Sequence, residues 1–198
     1  MKQLLIASGN QGKLREIQAL LGDLPVELVY PSQLGIQINV LEDGENYAEN
    51  AARKALAFTR ASGLIALADD SGLEVDALGG LPGLHSARFA PQPGATDADR
   101  RALLLQMLAG HPHPWRAKFH CTVAVASANG EVRYTQGECL GEIIPFERGQ
   151  EGFGYDPIFL IPEKAKTMAE LSMDEKNQLS HRARAILAAK PVLQALFQ

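Results

Sequence analysis

The segment Ser8-Gly9-Asn10-Gln11-Gly12-Lys13 gathers a hydroxyl, two carboxamides and an ammonium around two glycines. At the start of a helix, where backbone N–H groups point outward, such a set can hold an anion. It is not a Walker A loop, because two residues separate the glycines and Leu14 stands where that loop needs Ser or Thr. Gly and Asn also serve a plain chain turn, so on spacing alone phosphate binding and a turn stand equal. Further on, Asp69-Asp70-Ser71-Gly72 sets two carboxylates side by side. They point in different directions, so one can serve a metal while the other orients structure. Mg²⁺ suits such hard oxygen ligands and keeps waters and substrate phosphates in its shell. Glu42, in the polar loop Glu42-Asp43-Gly44-Glu45, is the other metal-ligand candidate; a solvated acidic turn is the plain alternative.

Asn50 and Lys54 lie four residues apart and share a helix face, as do Glu49 and Arg53. Lys54 can reach a phosphate or stay solvated, whereas Glu49 and Arg53 read as a surface ion pair of small value. Gly152-Phe153-Gly154-Tyr155-Asp156-Pro157 brackets an aromatic ring with glycines. That leaves space for a flat ligand to stack on Phe153, or marks a tight turn whose ring fills the core. Lys176 and the trio Ser180-His181-Arg182 place donors at a helix start, against the helix dipole, where they suit carbonyl or phosphate oxygens. His111 and His113 sit among prolines as loop residues; His85 and His120 read as structural. Taken together, the motifs describe a ligand with phosphates, a metal and a flat base: a nucleoside triphosphate.

These residues need a scaffold, and hydrophobic periodicity supplies one. The apolar run within 2–7 reads as a buried strand, followed by a helix over 13–21 with apolar positions 14, 17, 20 and 21. A strand over 26–30 and a helix over 47–60 come next, and then a short apolar strand over 64–68 that Asp69-Asp70-Ser71-Gly72 closes. The open end of such a strand is where α/β sheets keep ligands. Loops are expected at 79–83, 91–94 and 111–114, with a helix over Asp97–Leu108. Alternating segments 117–127 and 131–137 flank Ala128-Asn129-Gly130 as a two-stranded arm. A strand over 157–161 follows, then capping-box spacing at Thr167/Glu170 and Ser172/Glu175, and a last helix from Ser180 to Leu187. The class is mixed α/β.

The 198 residues, 46% of them apolar, fit one large domain or two small interlocked ones. A net charge of −4 gives no drive toward nucleic acid or an anionic membrane, so an anion must be held locally. Cys121 and Cys139 form no C-x-x-C pair and read as reduced thiols. The apolar run near the N-terminus is too short for a signal peptide, and no stretch is long enough to span a bilayer. The expectation is a cytoplasmic, soluble protein without internal repeats.

Ser8-x-Asn10-x-x-Lys13, Asp69-Asp70-Ser71-Gly72-Leu73, Pro82-Gly83 with Ser86-Ala87-Arg88, Gly152 to Pro157 and Ser180-His181-Arg182 occur in that order. In this the chain closely resembles the inosine/xanthosine triphosphate pyrophosphatases, over nearly its whole length. Ser8 stands where many members carry Thr, and His85 where an aromatic or aliphatic residue is common. The resemblance implies a single domain of two interlocked lobes around a nucleotide cleft, with a mixed central sheet and flanking helices, ITPase-like and Maf-like. It implies a homodimer and Mg²⁺-dependent cleavage of ITP, dITP or XTP between the α and β phosphates. Ser8, Gly9, Asn10, Gln11, Gly12 and Lys13, with Lys54 and Ser71, would meet the triphosphate. Glu42 and Asp70 would hold the metal, with Asp70 the proton acceptor. Phe153, Gly154, Tyr155, Asp156, Lys176, His181 and Arg182 would hold the nucleoside. Maf-like pyrophosphatases share a similar fold but prefer pyrimidine or modified nucleotides; the Ser-His-Arg and Gly-Phe-Gly-Tyr-Asp motifs favour purines. A nucleotide sensor needs no acidic metal set, which is present here.

Overall fold

The computed structural model describes residues 2–197. Among the described residues there are seven strands: β1 (Gln3–Ile6), β2 (Glu27–Val29), β3 (Ile65–Val75), β4 (Trp115–Ala126), β5 (Val132–Ile143), β6 (Phe159–Ile161) and β7 (Lys166–Thr167). The α-helices are α1 (Gln11–Leu21), α2 (Tyr47–Ser62), α3 (Asp97–Leu108), α4 (Met173–Leu179) and α5 (His181–Leu196). The strands form one mixed sheet in the order β2-β1-β3-β4-β5-β6-β7. β1 pairs in parallel with β2 and β3, Leu5 lying opposite both Val29 and Ala66. Parallel neighbours require crossovers, which α1 and α2 supply. β6 is antiparallel to β5 and β7.

The chain divides into two compact units. The first comprises the chain up to Asp70, Cys121–Gly137 and everything from His181 onward. Its sheet is covered on both faces, which explains the uninterrupted apolar run of β1. Leu4, Ile6, Leu67 and Val123 pack with Ile17 of α1 and Ile186 of α5, while Leu5, Ala66, Ala68 and Ala124 pack with Ala51 and Ala55 of α2. The second unit, Ser71–His120 with Glu138–Ser180, has its own core of Leu73, Leu104, Leu108, Trp115, Phe119, Phe159 and Met168. Among the described residues no helix is long and apolar enough to cross a membrane.

Most expected elements are present, but several boundaries differ. β3 does not stop at Ala68; it continues through Asp69-Asp70-Ser71-Gly72 to Val75. The acidic pair reads as a turn only while its buried counter-charges are invisible. The expected strand over 157–161 begins at Phe159, because Asp156–Ile158 forms a 3-10 turn around Pro157. The arm strands are longer than expected, reaching Trp115–Ala126 and Val132–Ile143. The last helix runs past Leu187 to Leu196 with Pro191 inside it. Proline usually interrupts a helix, but Ala189 and Leu193 on either side are fully buried, and that packing carries the helix onward. The capping-box pairs hold: Thr167/Glu170 closes a single 3-10 turn, and Ser172/Glu175 starts α4.

Candidate active site

Strand alternation sends the side chains of Asp69 and Asp70 to opposite faces of the first unit's sheet. Asp69 turns toward α1 and α5. Its Oδ2 lies 3.0 Å from the Lys13 ammonium and accepts from Arg182 Nε at 3.1 Å. The Cys121 thiol stands 3.9 Å away. Arg182, fully buried, also donates through Nη1 to the buried carboxylate of Glu16 on α1. Burial opposes the charged form of Asp69, but Lys13, Arg182 and Lys54 outweigh it and hold the carboxyl far below the usual carboxylate range. Burial beside Asp69 pushes the Cys121 thiol up to about 12, so it stays protonated.

Asp70 turns toward α2. Its Oδ2 accepts from Asn50 Nδ2 at 3.0 Å, and its Oδ1 lies 3.7 Å from Lys54 Nζ. Burial dominates over the pull of Lys54 and Lys13, so the Asp70 carboxyl is raised above the ordinary carboxylate value. Lys54 also donates to the Asp69 carbonyl at 2.6 Å and meets Glu42 Oε1 at 3.1 Å. Although burial lowers its affinity for a proton, Asp69, Asp70 and Glu42 reverse the effect and keep Lys54 charged.

In the segment at 8–13, Asn10 is the N-cap of α1, its Oδ1 accepting from the backbone N–H of Gly12 and Lys13. Ser8 Oγ accepts from Asn10 N–H at 3.2 Å. The carboxamide therefore already occupies two helix-start donors, and the Lys13 ammonium is the charged group that the loop presents beside Asp69.

The second unit holds the aromatic motif. Asp156 is buried and accepts from Phe153 N–H at 2.9 Å and from Lys176 Nζ at 2.7 Å. The same ammonium lies over the Phe153 ring, 5.2 Å from its centroid. Phe153 is half-buried, whereas Tyr155 is the residue that fills the core, donating its hydroxyl to the Ser86 carbonyl at 2.9 Å. Gly152 has φ +76°, and a Cβ there would fall 2.1 Å from Asp156 Oδ2, so this glycine makes room for the carboxylate rather than for a ligand. Gly154 is clamped by α3: its N–H donates to Asp97 Oδ2 and its carbonyl accepts from Arg101 Nη1, both at 2.7 Å. Ser71 follows Asp70 in β3, and His181 is buried at the first turn of α5.

Sequence reasoning missed Glu16 and the Asp97/Arg101 clamp. Glu16 carried one signal, its place four residues before buried Leu20 on the inner side of α1. The clamp involves ordinary helix charges far along the chain, and nothing local marks it.

Among the described residues no three His, Cys, Asp or Glu side chains form a complete metal shell. The residues nevertheless fit Mg²⁺, which commonly uses one or two carboxylates and leaves the rest to water and phosphate. Glu42 and Asp70 already converge on one cation, the Lys54 ammonium. In addition, the buried Oδ1 of Asp69 has no hydrogen-bond partner among the described residues.

The mixed α/β sheet thus carries a pair of adjacent buried carboxylates beside the lysine of a strand–loop–helix junction. The sequence model of the Ham1 family matches residues 4–192, and the chain belongs to that family. It is 47% identical to the dITP/XTP pyrophosphatase of Geobacillus kaustophilus, over 94% of this chain and 91% of that protein. It is 44% identical to the dITP/XTP pyrophosphatase of Desulforamulus reducens, over 98% and 97% of the two chains. The solved structure of a HAM1 protein from Coxiella burnetii superposes with a TM-score of 0.88 at 39% identity, covering 98% of this chain and all of the other.

Proposed function

We propose that the protein hydrolyses deaminated purine nucleoside triphosphates, ITP, dITP and XTP, to the monophosphate and pyrophosphate with Mg²⁺. The observation that carries this reading is Asp70: a buried carboxylate with raised proton affinity, beside two lysines. The relatives named dITP/XTP pyrophosphatase supply the substrate class.

Water must attack the α phosphorus while negative charge moves onto the leaving pyrophosphate. Bound by Glu42 and Asp70, Mg²⁺ would neutralise phosphate charge. Asp70 takes the attacking water's proton, a role its raised proton affinity suits. Lys13 and Lys54, with the loop from Ser8 to Gly12 and Ser71, meet the phosphates, and their fixed positions stabilise charge without reorganisation. Phe153 offers a stacking face, held by Gly154, Tyr155 and Asp156. Lys176, His181 and Arg182 offer donors. Hypoxanthine and xanthine carry a 6-oxo acceptor where adenine carries an amino donor, so these donors select against adenine. We further propose a homodimer in the cytoplasm, as in the resemblance drawn above.

The test is pyrophosphate release from ITP, XTP, dITP, GTP and ATP, with and without Mg²⁺. Release from the first three that depends on Mg²⁺ is expected. Activity confined to GTP and ATP, or none, removes the reading.

A further inference from the structure

Asn50 sits in α2, 1% exposed, and both ends of its carboxamide are engaged. Its Oδ1 accepts from Gly44 N–H at 2.8 Å, and its Nδ2 donates to Asp70 Oδ2 at 3.0 Å. One planar group thus ties the loop that carries Glu42 to the strand that carries Asp70. We propose that Asn50 is a positioning residue that fixes Glu42 and Asp70 as a matched pair of metal ligands; this rests on the Mg²⁺-dependent reading above.

Three observations lead there. First, by occupying Asp70 Oδ2, Asn50 leaves Oδ1 as the oxygen turned to the Lys54 ammonium, the cation that Glu42 Oε1 also meets. Second, the loop is seated directly on the first turns of α2. A Cβ at Gly44 would lie 2.7 Å from Asn50 Oδ1 and 2.8 Å from Glu49 Cβ, and Glu45 N–H donates to Glu49 Oε2 at 3.0 Å. Third, a carboxamide carries a donor and an acceptor on one short planar group, which the bonds to Asp70 and Gly44 both use. Aspartate would keep the bond to Gly44 but face Asp70 as a like charge, and leucine, of similar shape, would make neither bond. Groups that orient metal ligands in this way typically change metal affinity or activity by about 10–100-fold when removed.

Two variants of the full chain approach the pair from opposite sides. Asn50→Leu removes both bonds, and Gly44→Ala keeps the carboxamide but presses on it from the loop side, its Cβ falling 2.7 Å from Asn50 Oδ1. Mn²⁺ alone is titrated by electron paramagnetic resonance, and turnover of ITP is followed against Mg²⁺, with thermal unfolding run alongside. Wild type is expected to bind Mn²⁺, and both variants to bind it about 10-fold more weakly. In Asn50→Leu, kcat should fall by about 10–100-fold while KM for ITP moves by less than about threefold. In Gly44→Ala, saturating Mg²⁺ should restore most of kcat, because the carboxamide that donates to Asp70 is displaced rather than removed. A merely structural Asn50 would lower the melting temperature yet leave kcat and Mn²⁺ affinity of the folded fraction at wild-type values, and that result overturns the proposal. Should Asn50→Leu fail to fold, wild-type Mn²⁺ affinity in Gly44→Ala would overturn it by itself. Wild-type turnover indifferent to Mg²⁺, with no Mn²⁺ bound, would instead show that the parent reading has failed.

Discussion

Asp69 and Asp70 are neighbours with opposite electrostatic character, and that difference is testable one residue at a time. The Asp69 carboxyl lies far below its ordinary value, so its contribution to stability is fully present above the unfolded value of 3.8 and is lost as pH falls through the depressed folded value. Asp69→Asn removes the buried carboxylate that Arg182 Nε and the Lys13 ammonium share, leaving Arg182 its bond to Glu16, and should cost about 3–5 kcal/mol in urea unfolding at pH 7, a deficit that narrows in strong acid. The Asp70 carboxyl is shifted the other way, so its charged form opposes folding at neutral pH. Asp70→Asn should therefore raise the melting temperature while cutting pyrophosphate release from ITP by about 10²–10⁴-fold. Unchanged turnover in Asp70→Asn would remove it as the proton acceptor. At this scale the sequence was legible in part: Lys13, Asp69, Asp156 and Lys176, singled out by type, are ion-paired in the structure, Lys13 with Asp69 and Lys176 with Asp156. It was silent about pairing, because the partners of Asp69 come from Lys13 and Arg182, at opposite ends of the chain.

Elements with a full periodic signal were legible: α3 has the expected bounds, and α2 begins at the expected Tyr47. β3 and α5 were not fully legible, since each contains residues that normally end an element, the acidic pair in one and Pro191 in the other. In both, long-range packing overrides local preference. One contact shows how closely elements are fitted around the candidate site. A Cβ on Gly137 of β5 would fall 2.2 Å from the His181 carbonyl and 2.6 Å from Ala185 N, both backbone atoms at the start of α5. No rotamer change relieves that clash, so Gly137→Ala must push away the helix turn that carries His181 and Arg182. The expected cost is about 1–3 kcal/mol in denaturant unfolding. Because the displaced residues are the proposed base contacts, KM for ITP should rise in the same variant; an unchanged KM would separate α5 from nucleotide binding.

For the molecule as a whole, the net charge of −4 repels a free triphosphate at long range, whereas the lysines proposed to meet it act only at short range. Added salt shortens the reach of the repulsion to about 8 Å near physiological strength. The second-order rate constant kcat/KM for ITP at saturating Mg²⁺ should accordingly stay level or rise with moderate NaCl, and a steep fall would indicate attractive steering that the composition does not provide. Chelation with EDTA should abolish turnover, and Mg²⁺ should restore it. The two faces of β3 have a consequence for how the protein can change over time. Asp70 answers to α2 through Asn50 and Lys54, and Asp69 answers to α1 and α5 through Lys13 and Arg182. Substitutions at Asn50 and Glu16, one from each side, should combine almost additively in a double-mutant cycle, whereas pairs that include Lys54, which holds both the Asp70 carboxylate and the Asp69 carbonyl, should not. Metal handling and phosphate handling therefore meet at Lys54, and a change at that lysine in a lineage calls for compensation on both sides of the strand.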